Sequence, residues 1–337
     1  VLSKEKMRNI PLVSIIMPSF NRYNLIVDSI ESVLLQTIPD WELLIVDDGS
    51  TDNTQEIVRS YAEKDSRIRF MERSIQLKGP SSCRNIAIRE ARADYCLFLD
   101  SDDLLSPNCL EGRLSVANKE PEVALHVFQM QFFYKQPGDT TMLFMYVDLN
   151  DALGSTLLQG SPWGISCPLW RTDVLRDLGG FDEKLQSWED WDLHIRAFAF
   201  GHKYKVHPTI DCYCRQGLVS LTSQHSTIAH LAQRIDLFVK IGELFNKLKV
   251  PAIYKTRLAG KCLALCGELN EAGQEEMADN AWEKFNEHGV LSVRQVIMGG
   301  IYLRLRKKVF KRNSDFSTKL LRKGFSALIS KDFVWGY

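Results

Sequence analysis

Two hydrophobic periods alternate along residues 12–100: short runs of β-branched residues, then stretches whose apolar positions recur every three or four residues. Leu12-Val13-Ser14-Ile15-Ile16-Met17 reads as a first strand, and Leu25, Ile26, Ser29, Ile30, Val33 and Leu34 fall on one face of a following helix. Leu43-Leu44-Ile45-Val46 reads as a second strand, stopped by Asp47-Asp48-Gly49. Ser50 or Thr51 can then cap a helix running to about Tyr61, with Asp52 in its first turn, where exposed N–H groups favour an acid. A third strand near Ile68-Arg69-Phe70 and a helix over 81–91 lead to a fourth strand over 95–99, which ends in Asp100-Ser101-Asp102-Asp103. This alternation predicts βαβα units on a mostly parallel sheet.

The middle of the chain changes character. Residues 123–134 and 141–147 read as strands, antiparallel across Pro137-Gly138-Asp139, and 165–170 as another. A short helix over 172–178 closes at Gly179-Gly180, a helix opens at Glu189-Asp190, and a strand and loop occupy 204–220. Beyond about residue 226 the β-branched runs stop and Leu/Ala/Glu/Lys helical periodicity takes over. The expected organisation is an α/β catalytic domain over 1–225 and a helical C-terminal region over 226–337.

Composition narrows the class. Hydrophobic residues make up 45% and charged ones 25%, which excludes disordered and collagen-like chains. Lys+Arg and Asp+Glu balance at 42 each, so no overall field draws the chain to nucleic acid. Eight cysteines without a CxxC pair argue against a disulfide framework or a zinc site. No stretch of 18 uncharged apolar residues and no signal-type core is present, so the expected location is cytoplasmic and reducing.

The candidate chemistry lies at strand ends. An open α/β sheet binds ligands at the carboxyl edge of its strands, so Asp47-Asp48 and Asp100 to Asp103 are expected to meet there. Crowded carboxylates repel unless a cation or donors offset them, which suits Mg²⁺ or Mn²⁺ completed by phosphate oxygens of a nucleotide or sugar diphosphate. The blander alternative is a turn at one cluster and a helix cap at the other.

Pro18-Ser19-Phe20-Asn21-Arg22, Ile45 to Asp52, Gly79-Pro80-Ser81-Ser82-Cys83-Arg84-Asn85, Leu99 to Asp103 and Trp188-Glu189-Asp190 come in the order seen in family 2 glycosyltransferases of the GT-A fold, which this sequence resembles over about 12–220. The resemblance implies an inverting, metal-dependent transferase using a nucleotide-activated sugar, most often a UDP-sugar. By that resemblance Pro18, Phe20, Asn21, Asp48, Arg84, Asp100 and Asp102 bind the nucleotide sugar, with Phe20 stacked on the uracil and Asp48 accepting its N–H. Phe20 as core and Arg84 as a solvated surface residue are the alternatives. Asp102, with Asp103 beside it, is the expected metal ligand, Asp190 beside Glu189 the general base, and Trp188 a wall for the acceptor. Arg215 and Gln216 occupy the place where the family often has an Arg followed two residues later by His; Gly217 stands at that later position, and His207 and His225 carry no assignment.

In the tail, Arg304, Arg306, Lys307, Lys308, Lys311 and Arg312 lie beside Ile297, Met298, Ile301, Tyr302, Leu305, Val309 and Phe310. This basic amphipathic pattern suits an anionic membrane surface and a lipid-linked saccharide acceptor. Two other functions compete: a nucleotidyltransferase, which would need a Gly/Arg-rich loop after the first strand, and a Mg²⁺-binding regulatory module, which would leave Glu189-Asp190 without a role.

Overall fold

The computed structural model describes residues 10–73, 77–144, 150–217 and 227–310. They fall into two compact units: one drawn from Val1–Leu149, Trp163–Leu193 and Gly201–Val219, the other from Asn150–Pro162, His194–Phe200 and Ser220–Tyr337.

The first unit is built on one sheet. In chain order its strands are β1 Val13–Ser19, β2 Trp41–Asp47, β3 Ile68–Glu72, β4 Tyr95–Phe98, β5 Leu104–Leu105, β6 Leu125–Phe133, β7 Leu143–Phe144, β8 Pro168–Arg171 and β9 Tyr204–Arg215. Their spatial order is β3-β2-β1-β4-β8-β6-β9-β5, with β7 added to β6. β3, β2, β1 and β4 are mutually parallel, and β6 and β9 form a further parallel pair; β8 joins the two groups antiparallel to both neighbours. Every residue of β1 and β2 is buried, which explains why these strands read as unbroken apolar runs: helices cover both faces of a parallel sheet. The helices around them are α1 Ile26–Leu34, α2 Thr54–Lys64, α3 Pro80–Glu90 and α4 Cys109–Ala117.

The predicted hairpin exists, but β7 is only Leu143–Phe144, and 145–147 lie outside the described residues. The predicted cap of α2 shifts. Ser50 donates its hydroxyl to Asp47, and Asp52 instead accepts from the Thr54 N–H at 3.0 Å.

The chain runs from β1 outward to β2 and β3, then returns to place β4 on the other side of β1. This reversal opens a crevice at the carboxyl ends of β1 and β4. After α5 Ala152–Gln159 and α6 Thr172–Asp177 comes α7 Glu189–Ala199, whose first turn carries Glu189 and Asp190. The second unit holds α5 and four long helices, α8 Ile228–Lys247, α9 Ala252–Glu271, α10 Glu275–Glu287 and α11 Val293–Phe310. Among the described residues no helix is long and apolar enough to cross a membrane.

Candidate active site

The site begins where β1 stops pairing. The Ile16 carbonyl accepts from Leu99 on the β4 side, so Pro18, two residues on, faces the same way. The β1–β4 register ends at Ile16↔Phe98, so the missing N–H of Pro18 costs no ladder bond and the sheet opens there. Phe20, just beyond, is 40% exposed, which rules out the core reading of its ring. Asn21 takes a left-handed conformation at φ 51°. Its carboxamide oxygen accepts from the Thr51 N–H at 2.8 Å, and its own N–H donates to the Ser50 hydroxyl at 2.9 Å, fixing the loop after β1 to the loop after β2.

Asp47 and Asp48 each have partners within the chain. Buried Asp47 accepts from the Ser19 hydroxyl at 3.1 Å, the Gly49 N–H at 3.0 Å and the Gln55 amide at 2.8 Å, as well as from Ser50. A carboxylate with this many donors needs no metal to offset its charge. Asp48 pairs with Arg73 and accepts from the Gly79 N–H at 3.0 Å. Gly79 has φ 128°, where a side chain would be strained, and Pro80 follows as the first residue of α3. Asp48 thus sets where α3 begins and which face carries Arg84.

Arg84 is 4% exposed rather than solvated. One guanidinium nitrogen donates to Asp100 at 2.8 Å and another to Glu189 at 3.3 Å, so the acid at the end of β4 and the acid opening α7 share one cation. Burial alone would lower the proton affinity of Arg84, but Asp100 and Glu189 outweigh it and raise it. Glu189 is itself pushed up, by burial and then by the neighbouring Asp190 charge, with Arg84 pulling the other way. Asp190 accepts from the Trp191 N–H at 2.7 Å. Trp188, which leads into this turn, holds φ 67° and is half-buried, its ring 5.3 Å from that of Trp191. A left-handed bulky residue is rare, and here it sets the direction in which the acidic pair enters the helix.

The turn after β4 is the most crowded acidic group. Asp102 lies 3.4 Å from Arg22; burial and then Asp100 raise its proton affinity, against the pull of Arg22. Asp103 is buried, accepts from the Arg215 N–H at 3.0 Å, and is pushed well up by burial, Asp100 and Asp102. Arg215 also donates to the Asp102 carbonyl at 3.1 Å and to Asp28 at 2.9 Å, clasping the turn from behind. β5 follows at once and pairs with β9 through Leu104↔Tyr213, which anchors the turn on its other side.

A divalent cation fits this turn in one form only. The donors are hard oxygens whose mutual repulsion favours a cation, yet among the described residues no group of three or more His, Cys, Asp or Glu is arranged to hold a metal. That matches an ion bound by one or two carboxylates and completed by phosphate oxygens, not an all-protein cage. His207 is elsewhere: its Nε2 lies 3.1 Å from Nδ1 of His126 and its ring stacks on Phe128. Gln216 donates its backbone N–H to Phe133, and His225 lies outside the described residues. Sequence reasoning gave no role to Arg22, Arg73 or Asp28. Of these only Arg22 carried a signal, as the last residue of the first motif.

Residues 14–165 match the sequence model of glycosyl transferase family 2. Over 108 residues the chain is 45% identical to the Escherichia coli UDP-Glc:alpha-D-GlcNAc-diphosphoundecaprenol beta-1,3-glucosyltransferase WfgD, covering 32% of this chain and 42% of that protein. In eight curated relatives the matched stretch spans from 16% to 59% of their own length. Among solved structures, S. aureus TarS 1-349 in complex with UDP-GlcNAc superposes with a TM-score of 0.66 at 20% identity, over 88% of each chain. The mannosyltransferase PcManGT of Pyrobaculum calidifontis, in complex with GDP-Man and Mn2+, superposes at 0.54 and 18% identity, over 95% of this chain and 87% of that one. The sheet order, the motifs at its carboxyl edge and these likenesses agree: the chain has the GT-A fold, and its residues 14–165 are similar to glycosyl transferase family 2.

Proposed function

We propose that this protein is an inverting glycosyltransferase that moves a sugar from a UDP-sugar to an acceptor hydroxyl during surface polysaccharide or glycoconjugate assembly. One observation carries the reading: Arg84 holds Asp100 and Glu189 within hydrogen-bond reach of a single guanidinium, so the donor-side acids and the acidic pair opening α7 face one crevice.

In this reading the exposed ring of Phe20 stacks on the base. Asp48, which keeps acceptor capacity beyond its bonds to Arg73 and Gly79, takes the uracil N–H, and Asp100 takes the ribose. A Mg²⁺ or Mn²⁺ ion held by Asp102, with Asp103 beside it, would supply positive charge against the diphosphate as the nucleotide leaves. Asp190 accepts the proton of the acceptor hydroxyl, whose oxygen forms the new bond at the anomeric carbon as the bond to the diphosphate breaks on the opposite face. Glu189 shares the buried guanidinium and keeps the acidic pair in place, and Trp188 walls the acceptor. The acceptor is a saccharide or lipid-linked saccharide presented at the cytoplasmic face of an anionic membrane, a class to which the substrate in the name of WfgD belongs.

The test pairs binding with turnover. Calorimetry should detect UDP only when Mg²⁺ or Mn²⁺ is present, and a panel of UDP-sugars should identify a donor. Asp190→Asn should lower transfer by about 100-fold or more while leaving UDP affinity within about twofold. Transfer at a near-parental rate in that variant overturns the base assignment, and no UDP binding with either ion overturns the donor assignment.

A further inference from the structure

The C-terminal basic pattern divides: Arg304 is exposed, Arg306 and Lys307 are engaged within their unit, and Lys311 and Arg312 lie outside the described residues. Arg306 is buried and pairs with Glu271, and Lys307 pairs with Asp279 at 2.9 Å, so both point into the second unit. Tyr302 and Leu303 are buried as well. The outward side of α11 instead shows Val293 at 78%, Ile297 at 56%, Ile301 at 43% and Leu305 at 37% exposure. These four recur every fourth residue and form a continuous aliphatic band along the helix. Arg294 and Arg304 are exposed beside it. The helix therefore has two apolar sides, one packed inside its unit and one open.

We propose that this outer band of α11 is the surface by which the protein lies on an anionic lipid bilayer, the aliphatic side chains entering the headgroup boundary and the flanking arginines meeting lipid phosphates. The inference deepens the membrane-facing part of the proposed function and rests on it. Charge selects the occupant. α11 holds five basic residues and no acid; two of them, Arg306 and Lys307, are paired with Glu271 and Asp279, and residues 311–323 add Lys311, Arg312, Lys319, Arg322 and Lys323 against Asp315 alone. A second copy of the same face, or the basic segment that follows, would set like charges against Arg294 and Arg304. An anionic bilayer offers both an apolar interior and the opposite charge.

The test uses the full chain and vesicles of phosphatidylcholine with or without phosphatidylglycerol, in the absence of donor and acceptor. The parent protein should co-sediment with phosphatidylglycerol vesicles, less so at high salt, and not with phosphatidylcholine alone. Ile297→Ser with Ile301→Ser, at exposed positions, should weaken that binding by about tenfold or more, with unchanged thermal melting. Three results overturn the proposal: no binding by the parent, equal binding by the variant, or a parental dimer that the variant converts to monomer. Because no sugar is transferred in this assay, its failure leaves the transferase reading standing. Failure of transfer likewise leaves the vesicle result standing.

Discussion

Arg84 serves two carboxylates through different nitrogens, a task that suits a planar guanidinium and not an ammonium. Arg84→Lys should keep at most one of the two bonds, lower stability by about 1–2 kcal/mol in urea denaturation and reduce transfer by about tenfold or more. A variant with parental stability and rate would show that the bridge does not position the site. The motifs made the acids legible one by one, because Asp after an apolar strand is conspicuous. Which residues pair with them was not. Arg84 and Glu189 stand 105 positions apart, nothing in the motifs pairs Arg22 with Asp102, and Arg73 sits in an ordinary sequence context where nothing separates a clasping arginine from a solvated one. Only the fold brings such charges within reach of each other.

At the scale of elements, the opposite end of the sheet carries its own polar anchor. Glu42, near the start of β2, is buried and accepts from the Ser14 hydroxyl and the Arg92 N–H, both at 2.7 Å, and from Arg69 at 3.1 Å. Burial alone would raise its proton affinity, but these donors outweigh it and hold the carboxyl below its ordinary 4.5. A lowered folded-state value means that the carboxylate stabilises the fold above about pH 4.5 and that this contribution fades as pH falls through the folded-state value. Glu42→Gln should therefore cost about 1–3 kcal/mol at neutral pH, and the difference from the parent should shrink in acid, as denaturation at several pH values would reveal. A constant difference across pH would remove the charge from the explanation. Strands β1 and β2 were legible because burial on both faces leaves unbroken apolar runs. β5, two residues long, and α5, eight residues long, gave no period to find. α11 misled for a different reason: apolar residues on two sides blur the amphipathic signal, so the basic residues looked outward when Arg306 and Lys307 turn in.

For the whole molecule, chain order and compactness part ways. The second unit takes Asn150–Pro162 and His194–Phe200 from the middle of the chain as well as the C-terminal helices. Within it α5 packs on α9, and Asp151, which caps α5 by accepting from the Gly154 N–H at 2.9 Å, also pairs with Arg257 at 2.5 Å. A fragment ending at residue 225 should consequently aggregate, since it keeps α5 and discards α9. A monomeric, cooperatively melting fragment on size exclusion would refute this. The same threading has a consequence during synthesis. As the polypeptide leaves the ribosome, residues 150–162 emerge with Leu157 bare and wait roughly a hundred residues for α9, a delay in which a chaperone can hold them and a premature stop codon would leave them permanently uncovered.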